Sequence, residues 1–146
     1  MEDVRELVTF ITDFPGDEQW NERGDLLVPG GRMITESIRT SFQGAACHCT
    51  PVLQHSFYGW TFTVVWQSHS IECIVSVADA LRWMLQMRLE RPLTRRILGD
   101  SGASELKASQ VHLHEFLKSD QHFSNVLWYT QRDYDSNRDD KASATP

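Results

Sequence analysis

No stretch of this chain is apolar for long enough to cross a bilayer. The opening Met1-Glu2-Asp3-Val4-Arg5-Glu6 is too acidic and polar to be a secretory signal. Both absences predict a cytoplasmic protein with no membrane partner. Cysteine is scarce and odd in number: Cys47, Cys49 and Cys73 cannot all pair within one molecule, so reduced thiols are expected. Positive charge is short as well. Lysine and arginine number 14 against 20 acids, and the net charge of -6 argues against broad nucleic-acid binding. It suits solubility, or a basic partner.

Recognisable catalytic motifs are missing too. The chain contains no nucleophile elbow. Pro29-Gly30-Gly31-Arg32 has two glycines but neither the Gly-Lys-Ser/Thr ending of a phosphate loop nor a clear strand before it, so it reads as a turn that starts a helix. His112 and His114 lie about 200° apart on a helix, which prevents them gripping one ion and leaves them facing solvent. Carboxylate pairs and Ser-His-Asp sets converge in space rather than in sequence, so they stay open.

What is present is enough for one globular domain. The chain has 146 residues, of which 40% are hydrophobic and 10% aromatic. Val4, Leu7, Val8 and Ile11 fall at helical spacing, with Asp3 as cap and Glu6 completing a capping box. Pro15-Gly16 ends that element. A loop follows to about Gly31, holding Trp20 and the apolar trio Leu26-Leu27-Val28. Met33, Ile34, Ser37, Ile38 and Phe42 predict a second helix closed by Gly44.

From Ala46 the period changes. Cys47 to Gln54 predicts an edge strand interrupted by Pro51. Tyr58, Trp60, Phe62, Val64 and Trp66 alternate, so Phe57 to Gln67 is a strand with one bulky face. Ser68-His69-Ser70 reads as a turn with His69 at the surface, and Ile71 to Ala78 as the antiparallel return. Residues 79–91 fit a strand and a helix alike, and the longer alternation favours the strand. Leu93 to Leu98 suggests a helical turn, Gly99-Asp100-Ser101-Gly102 a loop, Ser104 to Lys118 a helix, and Phe123 to Gln131 a short strand or an anchoring segment.

The expected architecture is α+β. An antiparallel sheet of about four strands, centred on Phe57 to Ala78, carries two N-terminal helices and one C-terminal helix on one face. Tyr58, Trp60, Phe62 and Trp66 occupy the covered face, opposite Ile71, Cys73, Val75 and Val77 or the alternate set. The reverse face, with Phe57, Gly59, Thr61, Thr63 and Val65, is smaller and more polar. Residues 1–134 form a single domain, and residues 135–146 form a disordered tail with nothing to bury.

Cys47-His48-Cys49, with His55 and Cys73, is the one cluster of metal-ligand residue types. On a strand His48 opposes the two cysteines, and a second pair is missing, so core packing is preferred and no metal or cofactor is expected. Arg88, Arg91, Arg95 and Arg96 could hold phosphates beside Trp83. Up to Gly30, however, eight acids stand against two arginines, and ion pairs with that block, or a solvated face, explain the arginines more economically.

The Gly59-Trp60-Thr61-Phe62 strand, the hydrophobic strand after it, the acidic charge and the hydrophilic tail resemble small acidic bacterial immunity proteins. The likeness covers residues 57 to 90. It implies a non-enzymatic module that neutralises a toxin by tight one-to-one binding, with acidic groups steering association with a basic surface. Asp17, Glu18, Glu22 and Asp25, beside Trp20, are the expected contact residues. The alternative is a small enzyme or ligand-binding domain using Cys47, His48, His55 or Cys73. A third expectation is a homo-oligomer joined through its sheet face.

Overall fold

The fold is organised around a wide antiparallel sheet. The computed structural model describes residues 4–90, 99 and 101–146. In chain order these form β1 (Leu7–Thr12), β2 (Gln19–Trp20), β3 (Leu26–Val28), α1 (Arg32–Gly44), β4 (His48–Cys49) and β5 (Leu53–His55). Next come β6 (Gly59–Trp66), β7 (His69–Val77), β8 (Trp83–Leu89), α2 (Ala103–Ser119), β9 (Phe123–Tyr129) and α3 (Gln131–Asp135). A 3-10 turn, Asp139–Lys141, follows. Seven strands build one sheet in the order β4-β6-β7-β8-β1-β9, with β5 also on β6, while β2 and β3 pair separately.

The β6–β7 hairpin sets the register. Trp60 stands opposite Val75, Phe62 opposite Cys73 and Val64 opposite Ile71. Val75 faces Leu85, Leu85 faces Val8, and Val8 faces Trp128, so one row of apolar side chains crosses five strands. That row joins Ile34, Ile38 and Phe42 of α1 and Leu106, Leu113 and Leu117 of α2 in a single buried cluster. Each such side chain contributes roughly 1.5–3 kcal/mol on burial, far more than local propensity can oppose.

That balance explains the main departure from expectation. Val4 to Ile11 is not a helix: Leu7–Thr12 is a strand between β8 and β9. Leu7, Val8, Thr9 and Phe10 are all fully buried, which means both faces are covered. A helix would bury one stripe of this segment, whereas an inner strand buries every residue. The expected cap Asp3 lies outside the described residues, as do Leu93 to Leu98 and Asp100. With β1 in the sheet, and Cys47 to Gln54 split at Pro51 into β4 and β5, the main sheet has seven strands among the described residues rather than about four.

Other differences are local. The tight turn falls on Gln67 and Ser68, both at positive φ (47° and 72°), a geometry that matches the twist of a hairpin. His69 therefore enters β7 opposite Trp66 and is buried, not superficial. Tyr58, expected beneath the helices, is exposed because the strand begins only at Gly59, after left-handed Ser56. α1 ends at Gly44 as expected, but the left-handed residue is Ala46. Residues 83–89 form the strand that their alternation predicts.

The reverse face is only partly open. Leu7, Thr9, Ile74 and Tyr129 are buried there. The side-chain amide of Gln86 donates to Gln131 of α3 at 2.8 Å, and the Tyr134 ring meets Tyr129 edge-on at 5.6 Å. After Tyr134, where a free tail is expected, the chain turns and Ser143 pairs with Trp128. No helix among the described residues is long and apolar enough to cross a membrane.

Pro29-Gly30-Gly31 serves packing. The Pro29 carbonyl accepts from Trp60 Nε1 at 3.0 Å, and Gly31 sits at φ 100° against Trp83. A Cβ on Gly31 would lie 2.6 Å from Trp83 Cζ3. Gly31→Ala combines a left-handed penalty with overpacking and should cost about 2–4 kcal/mol, read as a lower urea midpoint at unchanged slope.

Candidate protein-docking surface

Large apolar side chains collect in water at one end of the sheet, where β6 begins, β7 ends and β8 begins. Phe57 is 72% exposed, Tyr58 76%, Leu81 74% and Trp20 58%, with Val77 beside them. Two shallow depressions share Leu26, Gly30 and Val77. The first, of about 240 Å³, is bordered by Pro29, Phe57, Tyr58 and Ser76. The second, of about 300 Å³, is bordered by Glu18, Trp20, Asp79, Leu81 and Trp83. Each is the size of one or two side chains.

Turn chemistry holds these groups out. Between β2 and β3 the Asn21 side-chain oxygen accepts from the backbone of Arg23 and Asp25, both at 2.9 Å, while Gly24 takes φ 85°. Asn21 also donates to the Asp25 carboxylate at 3.0 Å. Before β8, Asp79 accepts from the backbone N–H groups of Leu81 and Arg82 and from the Arg82 guanidinium. The backbone N–H of Leu81 and the Arg82 bonds hold the Asp79 carboxyl below the usual carboxylate range. Leu81 thus projects from a fastened turn rather than a loose loop.

Of the acidic residues expected to meet a partner, Glu18 borders the second depression with Trp20. Glu22 and Asp25 are exposed on the adjoining hairpin turn. Asp17 is engaged elsewhere: its carboxylate accepts from the backbone N–H groups of Gly31 and Met33, both at 2.8 Å. It caps α1 from fourteen residues upstream and complements the positive end of that helix. Phe57, Tyr58, Val77 and Leu81 escaped the sequence reading. No local signal marked them: Phe57 and Tyr58 fell within the expected strand, which starts only at Gly59, and Leu81 fell within an alternating stretch.

The cysteine and histidine candidates do not converge. Cys49 and Cys73 are buried, Cys47 is half-buried, and His48 and His55 are exposed on the edge strands. Among the described residues no group of three or more metal-ligating side chains comes together. Burial raises the pKa of all three thiols, most of all Cys73, where negative charge on Cys49 and Glu72 adds to the effect. A thiol so held is a poor nucleophile. In native protein at neutral pH an alkylating reagent should modify Cys47 first and Cys73 only on unfolding, as peptide mass mapping would show.

His112 and His114, expected in solvent, are both partly covered. The His112 ring packs on Phe42 at 4.7 Å and on Trp66 at 5.8 Å, and its Nε2 lies 3.4 Å from Ser41 Oγ. His114 Nδ1 accepts from Trp128 Nε1 at 3.2 Å. Both border an open groove of about 1020 Å³ between α1 and α2. Desolvation depresses both imidazole pKa values. The neutral rings therefore stabilise the fold above the ordinary imidazole pKa, and that stability is lost as pH falls toward the depressed values. Urea midpoints measured at about pH 7.5 and about pH 5.5 should fall less for His112→Gln than for the parent protein.

Comparison with family models, with curated proteins and with solved structures finds no match to this chain.

Proposed function

We propose that this protein is a non-enzymatic binding module whose partner is another protein, docked on the apolar end formed by Trp20, Tyr58, Val77 and Leu81. One observation carries the reading: several large side chains stand in water together, around paired depressions, on turns that are already fastened. Contiguous apolar exposure marks interaction sites, and aromatic anchors beside small pockets have the anatomy of interface hot spots. Glu18, Glu22 and Asp25 surround them with negative charge, while Arg82 offsets Asp79. A basic partner is favoured by that balance, both in steering and in final fit.

The immunity-protein reading belongs here. In it the module covers a cognate toxin one-to-one, in the cytoplasm, and its three free cysteines accord with that compartment. The helices α1 and α2 lie together on one face of the sheet in this reading and serve as backing. The outer strands β4, β5 and β9 take no part.

The test uses immobilised protein and extract from the native cell. A partner retained by the parent protein should be lost at least tenfold with Trp20→Ala or Leu81→Ser, about 1.4 kcal/mol or more each. Both substitutions are at exposed positions and should leave the melting temperature nearly unchanged. Cys47→Ser with His48→Ala should retain the partner fully. A neighbouring gene that is toxic only in the absence of this one would identify the partner as a toxin. If cellular function survives loss of Trp20 and Leu81 but fails with Cys47→Ser and His48→Ala, the binding reading is wrong.

A further inference from the structure

β9, Phe123-Ser124-Asn125-Val126-Leu127-Trp128-Tyr129, is an outer strand of the sheet. It carries no charge and no proline, two of the features that commonly stop an outer strand from pairing with another chain, and its regular pairing is interrupted only by a bulge at left-handed Asn125. The opposite edge is blunted: β4 and β5 have two and three residues, with Pro51 between them. Residues 136–146 guard β9 instead. Trp128 N–H donates to the Ser143 carbonyl at 2.7 Å, and Ser143 N–H donates to the Trp128 carbonyl at 2.8 Å. The Lys107 ammonium holds the far end through the backbone oxygen of Pro146. The segment adds no side chain to the buried core and most of it is exposed. Among the described residues these three bonds are what fastens the cover to β9 and α2, and a segment so held belongs to the low-stability end of a fold.

We propose that the edge of β9 is a docking surface for a second copy of this chain, pairing β9 antiparallel with β9 once residues 136–146 lift away. The Ser143–Trp128 bridge is itself antiparallel, so on the C-terminal side of the Asn125 bulge the outward N–H and C=O of Trp128 already bond a segment running in that direction. A strand without charge meets its own copy without repulsion between side chains. Self-pairing about a two-fold axis buries both β9 edges at once, and the blunted β4–β5 edges stop growth at two copies. Trp20, Tyr58 and Leu81 belong to other elements, so this surface is independent of the partner site proposed above.

Light scattering across a concentration series tests it on the full chain. Ser143→Pro removes the N–H that bonds Trp128, and Lys107→Ala releases the far end. Both should tighten dimerisation by about tenfold or more over a monomeric parent protein, with the apparent mass doubling. Ser124→Lys places a charge on the exposed edge, and added to Ser143→Pro it should restore the monomer. Loosened variants that keep native circular dichroism yet stay monomeric at the highest soluble concentration would overturn the proposal. So would a dimer that Ser124→Lys leaves intact, or a parent protein that is already fully dimeric. Should Ser143→Pro fail to fold, Lys107→Ala, which lies outside the sheet, decides alone.

Discussion

The structure depends on β1 having no face in water. Leu7–Thr12 lies between β8 and β9, so the sheet is complete only when residue 7 has met both residue 86 and residue 129. Until then Val8 and Phe10 lack one side of their packing, and so do Leu85 and Trp128. The entry to the strand is tied from two directions: Met87 N–H donates to the Glu6 carbonyl at 2.8 Å, and the buried Gln110 of α2 donates to the Arg5 carbonyl at 2.9 Å. Gln110 is an instructive case. A buried amide is tolerable only when bonded, and here its bond fixes α2 to the start of the inner strand. Such long-range pairings must meet their loop-closure entropy before they reward it, which sets closure of the sheet behind the local β6–β7 hairpin.

How much could be read in advance followed how local each determinant is. The β6–β7 hairpin, α1, α2 and the strand over residues 83–89 were legible because their periodicity and their turns lie within a short window. β1 was not. Val4, Leu7, Val8 and Ile11 satisfy a helical stripe, and nothing nearby says that Thr9 and Phe10 will also be buried. That burial comes from strands some eighty and one hundred and twenty residues away, and it outweighs a capping box. His69 was misplaced for a smaller reason: two consecutive non-glycine residues at positive φ moved the turn by one position. A one-residue slip exchanges the inside for the outside of a strand.

The candidate surface was half legible for a related reason. The acidic run and Trp20 could be found in sequence, because charge and exposure go together there. The cap role of Asp17 could not, since its partners, Gly31 and Met33, are close only after β2 and β3 fold back. Nor could Phe57, Tyr58 and Leu81, whose exposure depends on where neighbouring strands begin. The same residue type, tryptophan, meets opposite ends. Trp60 and Trp128 are buried, each with its indole N–H bonded, whereas Trp20 stands out on a hairpin. Composition reports that five tryptophans are present. Only register decides which of them holds the fold and which is left in water.

That division of labour has an energetic logic. An exposed aromatic cluster is a solubility hazard, and a flexible one would also bind weakly, because ordering each side chain and its loop costs entropy on association. Both problems are reduced here by the same devices. The Asx-type turn at Asn21, the Asp79–Arg82 turn and the Gly31–Trp83 contact hold the anchors before any partner arrives. The surrounding carboxylates keep copies of the same surface apart, since two acidic rims repel each other while a basic rim is drawn in. In the proposed docking, negative charge that would be a poor feature for nucleic-acid binding would do two tasks: select against self-association at this end and in favour of a basic partner.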